Sequence, residues 1–213
     1  EQDRLNSPKT DFGAAYAGDI KYRDLNGDGV ITEQDQRKIG DSNLAEWSYG
    51  FFVGAAYKGF DVKALFTGVA NRDYTYADLN IMAFKNEAGN GNEWGGGSVQ
   101  KYHWDNRYNP QDPSTWRTAK YPRLSLLGGT HNRLDSDFWQ DNGNFLRLKT
   151  LEIGYTLPQR WTRKAKISKA RIFYTGYNLL TWHNMRVIDP ESQPGVCNYP
   201  VQKVSSFGLS LQF

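Results

Sequence analysis

Trp47-Ser48-Tyr49-Gly50-Phe51-Phe52-Val53-Gly54-Ala55-Ala56-Tyr57-Lys58-Gly59-Phe60-Asp61-Val62-Lys63-Ala64-Leu65-Phe66 alternates on both sides of Lys58-Gly59. A β-strand points successive side chains to opposite faces. Within 45–58, Trp47, Tyr49, Phe51, Val53, Ala55 and Tyr57 therefore share one face. Glu46, Ser48, Gly50, Gly54 and Lys58 take the other, and Phe52 is the exception. Within 60–70, Phe60, Val62, Ala64 and Phe66 oppose Asp61, Lys63 and Thr67. Two alternating runs joined by a Lys-Gly turn predict a hairpin. Tyr57 and Phe60 gather at the turn, where a membrane barrel would carry an aromatic girdle.

The pattern recurs outward from the hairpin. In 144–157, Leu151, Ile153, Tyr155 and Leu157 face away from Thr150, Glu152, Gly154 and Thr156, and Pro158 ends the strand. In 168–182, Ala170, Ile172 and Tyr174 alternate with Lys169, Arg171 and Thr175. In the last run, Phe207, Leu209, Leu211 and Phe213 oppose Ser206, Gly208, Ser210 and Gln212. About five strands result, with short connections alternating with long ones. This is the rhythm of an up-and-down barrel. The stretch 71–143 has no sustained periodicity, which suits a long outer loop better than a compact soluble domain.

Composition narrows the classes. No segment approaches the roughly 18 consecutive apolar residues of a membrane helix, which leaves barrel strands open. Aromatics make up 15% of the chain, a level that fits barrel girdles and sugar-binding β-proteins alike. A net charge of +3, mixed along the chain, gives no nucleic-acid footprint. The single Cys197 excludes an internal disulfide and a cysteine zinc cluster. The sequence opens Glu1-Gln2-Asp3 without Met or leader, so a piece of a longer precursor is expected.

Asp24 to Asp35 is the sharpest local motif. Asp24, Asn26, Asp28, Thr32 and Asp35 stand where an EF-hand loop places oxygen ligands. Val30 would add its carbonyl, and Gly29 makes the sharp turn. Asp35 replaces the usual Glu, and a metal-free Asx-rich turn is the plainer reading. The expectation is a structural Ca2+ site. Trp94, Trp104, Tyr108 and Trp116, with Tyr102, Tyr121 and Trp139, supply aromatic faces in the long stretch. Such faces stack on sugars or peptides, or pack the loop on itself. The first four are the candidate substrate-binding residues. His103, His131 and His183 lack metal-ligand spacing, and no carboxylate pair or nucleophile elbow stands out. No enzyme is expected. Gly95-Gly96-Gly97 reads as a loop tip, and Arg160 to Lys166 as a solvated turn near lipid headgroups.

Four segments together resemble SusC/RagA-type TonB-dependent transporters of the Gram-negative outer membrane, in their C-terminal part. They are Gly18-Asp19-Ile20-Lys21-Tyr22 running into the Asp24 loop, and Tyr49 through Asp61. Next comes Tyr121-Pro122-Arg123-Leu124-Ser125 with Ser136-Asp137-Phe138-Trp139 and Phe145 to Pro158. Tyr177-Asn178-Leu179-Leu180-Thr181-Trp182 and the Phe-ending strand complete the set. The resemblance implies an all-β fold: an antiparallel transmembrane barrel segment from a barrel of about 22 strands. Residues 1–44 would be an extracellular loop, and 45–213 barrel strands with extracellular loop 71–143. It implies uptake of oligosaccharides or peptides, with a SusD-like surface lipoprotein as lid. TonB would act through an N-terminal part absent from this sequence. It also implies outer-membrane lipid around the wall, and the barrel assembly machinery reading Phe213. A dimer of transporter–lipoprotein pairs belongs to the same picture. The rival is a secreted calcium-binding β-sandwich module for carbohydrate, and a dockerin is weaker because the chain holds one such loop.

Overall fold

The computed structural model describes residues 5–76, 83–84, 99–125, 130–192 and 199–213. The chain divides into two compact units. One comprises Asp41–Thr75, Asp141–Pro194 and Asn198–Phe213, and the other Glu1–Gly40, Tyr76–Gln140 and Gly195–Cys197.

Nine strands occur among the described residues: β1 (Lys9–Thr10), β2 (Val30–Ile31), β3 (Trp47–Tyr57), β4 (Phe60–Ala70), β5 (Asp73–Thr75), β6 (Gln140–Asn142), β7 (Phe145–Thr156), β8 (Lys169–His183) and β9 (Val204–Gln212). The sheet unit is built on five of them, in the order β3-β4-β7-β8-β9. Every pairing in this sheet is antiparallel. The five predicted strands are all present. The sheet is open, since β3 and β9 stand at its two edges instead of pairing with each other. The structure therefore shows the antiparallel sheet of the expected fold without its closure into a barrel.

Residues directly opposite one another on neighbouring strands share a face. Phe51 lies opposite Phe66, Val53 opposite Ala64, and Tyr57 opposite Phe60. The same face continues through Tyr155, Ile153 and Leu151 on β7, then Ile172 and Tyr174 on β8. Leu209 and Phe207 carry it onto β9. Phe51 stacks on Phe66 at 4.8 Å, and Phe60 tilts against Tyr155 at 4.4 Å. One register shift keeps this face apolar. β7 carries an extra residue, Lys149, so Thr150 pairs with Leu65 and Leu148 with Phe66. Side-chain parity reverses there, which puts Leu146 and Leu148 on the same face as Leu151 and Ile153.

The opposite face is polar and ion-paired. Arg171 on β8 reaches across β7 to Asp61 on β4, with its Nε 3.0 Å from Asp61 Oδ1. Its Nη2 also meets Glu152 Oε1 at 2.6 Å. The reach requires Gly154, since a Cβ there would come within 2.3 Å of the guanidinium.

The end of the sheet away from the Lys58-Gly59 turn is knitted by polar contacts. Arg147 is 1% exposed, with Nη2 at 2.6 and 2.7 Å from the two Asp189 oxygens. Its Nη1 lies 3.1 Å from Glu191. Arg72 donates to the carbonyls of Pro190 and Asn43, and Arg186 pairs with Asp141. Asp189→Ala leaves a buried guanidinium with only half of its compensation. It should destabilise this unit by about 2 kcal/mol, because a buried charge that loses a partner is not solvated in exchange. Denaturant unfolding, together with protease cleavage within 184–192, measures the loss. An unchanged midpoint would show that Glu191 alone suffices.

The second unit is not a bare loop. Its described residues contain the helix Lys101–Asn106, short 3-10 turns and a parallel pairing of Lys9–Thr10 with Val30–Ile31. A small aromatic core holds it. His103 stacks on Tyr121 at 3.9 Å, and Trp139 meets Tyr121 edge-on at 5.3 Å. The buried Trp139 donates its indole N–H to the Asn132 carbonyl at 2.8 Å. The described residues 99–125 and 130–139 are short turns around stacked rings, which carry no repeating pattern in sequence.

Candidate functional site

The functional candidates fall within the second unit. Gly18-Asp19-Ile20-Lys21-Tyr22 and Tyr121-Pro122-Arg123 lie a hundred residues apart in sequence and meet there. Arg123 N–H donates to the Gly18 carbonyl at 2.9 Å, and Arg123 Nε lies 2.7 Å from Asp19 Oδ1. Asp19 is 2% exposed in its side chain and also accepts from Asn132 Nδ2 at 2.7 Å and from the Tyr16 amide at 2.7 Å. Asn132 returns a bond by accepting the Ile20 amide at 2.8 Å. The Arg123 guanidinium covers the Tyr16 ring at 4.5 Å. The carboxylate is therefore a structural hub, fully engaged by cation and amides.

His131 and Tyr22 extend this hub. Tyr22 donates its hydroxyl to the His131 carbonyl at 2.7 Å, and burial pushes that hydroxyl above the ordinary tyrosine range. His131 Nε2 lies 2.7 Å from the Ile20 carbonyl, so Nε2 carries the proton. Its buried Nδ1 has no hydrogen-bond partner among the described residues.

Two grooves flank the segment Gly18–Lys21. The larger, about 750 Å3, is lined by Tyr16, Tyr22, Ile31, Tyr108, Trp116 and His131 among others. The smaller, about 620 Å3, runs past Tyr108, Trp116, Lys120, Tyr121 and Phe138. Tyr108 and Trp116 border both. The helical turn Pro113–Thr115, capped by Asp112 accepting from Ser114 N–H at 3.0 Å, positions Trp116. Its indole N–H donates to the Asn109 carbonyl at 3.1 Å. Two of the four aromatic candidates are thus brought together. Trp104 stands apart, half-exposed, with the Arg107 guanidinium 3.6 Å above its ring. Trp94 lies outside the described residues. Asp19, Arg123, His131 and Asn132 escaped the sequence reading as site residues, although two of the family-like motifs contain Asp19 and Arg123. An isolated polar residue in a loop gives no local sign of its distant partner.

The Asp24–Asp35 loop is closed by its own amides. Asp24 accepts from Gly27 and Gly29 N–H at 2.6 and 2.8 Å. Asn26 accepts from Asp28, and Asp28 from Val30, at 2.9 and 2.8 Å. Asp35 accepts from Leu25 and Thr32 at 2.7 and 2.8 Å, and Thr32 caps the turn Glu33–Asp35. These are hard oxygen donors of the kind calcium prefers. Among the described residues, no three His, Cys, Asp or Glu side chains converge closely enough to hold a metal. The carboxylates accept loop amides and keep further lone pairs.

Those amides have a pH consequence. Hydrogen bonds from Thr32 and then Leu25 hold the Asp35 carboxyl below the ordinary value near 3.8. A carboxyl lowered in the native state stabilises it fully above the ordinary value and loses that contribution as pH falls from there through the lowered native value. Hydrogen exchange at Leu25 and Thr32, corrected for intrinsic rate, should accelerate as pH falls below the ordinary value of 3.8 and through the lowered native one. Asp35→Asn should show the acceleration already at neutral pH. Flat protection across that window would remove Asp35 as the clasp.

No family model matches the chain. The sequence is 29% identical over 210 residues to TonB-dependent receptor P26 of Formosa agariphila, covering 92% of this chain and 20% of that protein. It is 28% identical over 218 residues to TonB-dependent receptor P3 of the same organism, covering 94% and 20%. The chain thus spans about a fifth of the length of the curated relatives it matches. Among solved structures, it is similar to the RagAB peptide transporter, with TM-score 0.56 and 24% identity over 84% of this chain and 19% of that one. The RagAB peptide importer in its open-open state matches with TM-score 0.61 and 23% identity over 92% of this chain and 21% of that one. These structural likenesses show the fold. The relatives are receptors and transporters rather than enzymes, in keeping with the expectation from the sequence. The resemblance carried by the motifs stands: over nearly its whole length the chain is similar to a segment of TonB-dependent receptors, and it shares its fold with a segment of the RagAB transporter.

Proposed function

We propose that this chain forms part of the wall and outer surface of a TonB-dependent importer in the outer membrane of a Gram-negative bacterium. One observation carries the reading: a continuous apolar face across five antiparallel strands, opposite an ion-paired polar face. Phe51, Val53, Ile172 and Leu209 are each 46–61% exposed on that apolar face. In water, such an expanse costs free energy in proportion to its area; in lipid it does not. The eleven residues of β3 would span about 28 Å of bilayer at a tilt of about 40°, close to a barrel's apolar band. The open edges of β3 and β9 call for further strands, as in a barrel of about 22.

In this reading the oligosaccharide or peptide cargo passes along the polar face. The RagAB relatives, described as a peptide transporter and importer, favour the peptide option. The Tyr108–Trp116 grooves would lie outside the cell, facing a SusD-like lipoprotein and the arriving substrate, and Trp94 and Trp104 are proposed as further contacts on residue type alone. TonB would engage the N-terminal part, lipid the apolar face, and the assembly machinery Phe213. Pairing of two transporter–lipoprotein units belongs to the same proposal. The 24–35 loop is proposed as a structural calcium site on the order of its oxygen donors alone. A carbohydrate-binding β-sandwich is not favoured, because the similar proteins are TonB-dependent receptors and the RagAB transporter.

A cysteine scan tests the reading. Cysteines at Phe51 and Val53 should be shielded from water-soluble thiol reagents in membranes, and those at Ser48 and Gly50 should react. Equal labelling of both sets would defeat the barrel.

A further inference from the structure

The short-turn end of the sheet carries a cluster of exposed cations, and its two connections contain no Asp or Glu. Lys58 sits in the β3–β4 turn, and Arg160, Arg163, Lys164, Lys166 and Lys169 lie on or beside the β7–β8 connection. The two connections are at one end of the sheet, since Thr156 N–H donates to the Gly59 carbonyl at 2.7 Å. All six side chains are exposed, and residues 157–169 contain no Asp or Glu. The nearest acids on the sheet, Asp61 and Glu152, are held by Arg171 on the polar face. Elsewhere in this unit Arg147 pairs with Asp189 and Glu191, and Arg186 with Asp141.

The cations also border the apolar face at its aromatic rim. Tyr57 and Phe60 on that face, and Trp161 in the β7–β8 connection, are each more than half exposed. Arg160 lies 5.8 Å from the Trp161 ring and Lys58 5.0 Å from the Tyr57 ring. Exposed Trp and Tyr settle at headgroup depth, and long cationic stems snorkel from apolar surface to phosphate. A guanidinium can grip a phosphodiester with two N–H groups, and lysines add point charge.

We propose that this end binds the headgroups of anionic phospholipids in the adjoining leaflet, with Arg160, Arg163, Lys164 and Lys166 as the anion-binding residues and Trp161 as the interfacial anchor. The proposal rests on the membrane reading above and adds a lipid preference that the reading does not require.

The test uses the full detergent-purified protein, delipidated and titrated with phosphatidylglycerol or phosphatidylcholine by native mass spectrometry. Phosphatidylglycerol should be retained at least about tenfold better, since each surface cation adds attraction to an anionic lipid. R160Q/R163Q/K164Q/K166Q should lose that preference and still bind phosphatidylcholine as before. Its fold is checked by altered gel migration of unheated protein. R160K/R163K, which keeps the charge, should retain most of the preference. Equal affinity of the native protein for both lipids overturns the proposal and leaves the membrane reading standing. So does a preference that survives the four-glutamine variant. Binding of neither lipid, with equal cysteine labelling at 48 and 51, overturns both. Preferential retention of hexaglutamate over phosphatidylglycerol would assign the patch to an acidic protein segment instead.

Discussion

Phe51→Arg should destabilise the membrane-inserted protein by about 3–4 kcal/mol, while Ser206→Arg should change it by less than about 1 kcal/mol. Both positions are exposed and both lie within strands. They differ in the face they occupy. Phe51 is near the middle of β3 on the apolar face and stacks on Phe66. A guanidinium there must either enter hydrocarbon or drag water to itself, and the ring pair is lost as well. Ser206 stands opposite Thr175, in the row that contains Glu152 on the polar face. An arginine there remains solvated and gains an acidic neighbour. Urea unfolding from vesicles measures both variants. Equal losses would mean that the two faces meet the same solvent, which no barrel wall allows.

Gly18→Ala is expected to cost about 3–4 kcal/mol in the second unit and to reshape both grooves. Gly18 has φ +88°, which side-chain-bearing residues rarely adopt. An added Cβ would fall 2.1 Å from Tyr108 Cδ1, against the face of the ring rather than a flexible tip. The Tyr108 backbone is fixed by its N–H donating to the Tyr121 carbonyl at 2.9 Å, so the ring has to swing into one groove. Denaturant unfolding gives the energy, and Trp116 fluorescence reports the groove. Tyr108→Ala added to Gly18→Ala should recover all but the backbone strain of about 1 kcal/mol. No recovery in the double variant would place the cost in the Asp19–Arg123 hub instead.

The strand reading from sequence was accurate because its cause is local. Apolar–polar alternation in 45–58 and 60–70 returned as β3 and β4 within two residues, and the Lys58-Gly59 turn fell where the pattern changed phase. The same logic could have found the β7 bulge. Leu146 and Leu148 are even and Leu151 and Ile153 odd, so the face can stay apolar only if one residue is skipped. In the second unit the local rule gave nothing. Tyr121 and Trp139 were grouped with Tyr108 and Trp116 as loop aromatics, yet the first two are buried and the last two border both grooves. Residue type is the same in each case; only the neighbours differ.

The sequence by itself determined the strands, their turns and the division of each strand into an apolar and a polar face, because backbone geometry repeats every two residues without reference to distant parts. Only the tertiary structure decided that β4 pairs with β7 across residues 71–144, that Arg171 bridges Asp61 and Glu152, and that Asp19, Arg123 and Asn132 form one hub. Each of those contacts joins residues whose separation along the chain leaves no periodic trace. Their partners are fixed when hydrogen bonding and charge must be satisfied inside a particular packing.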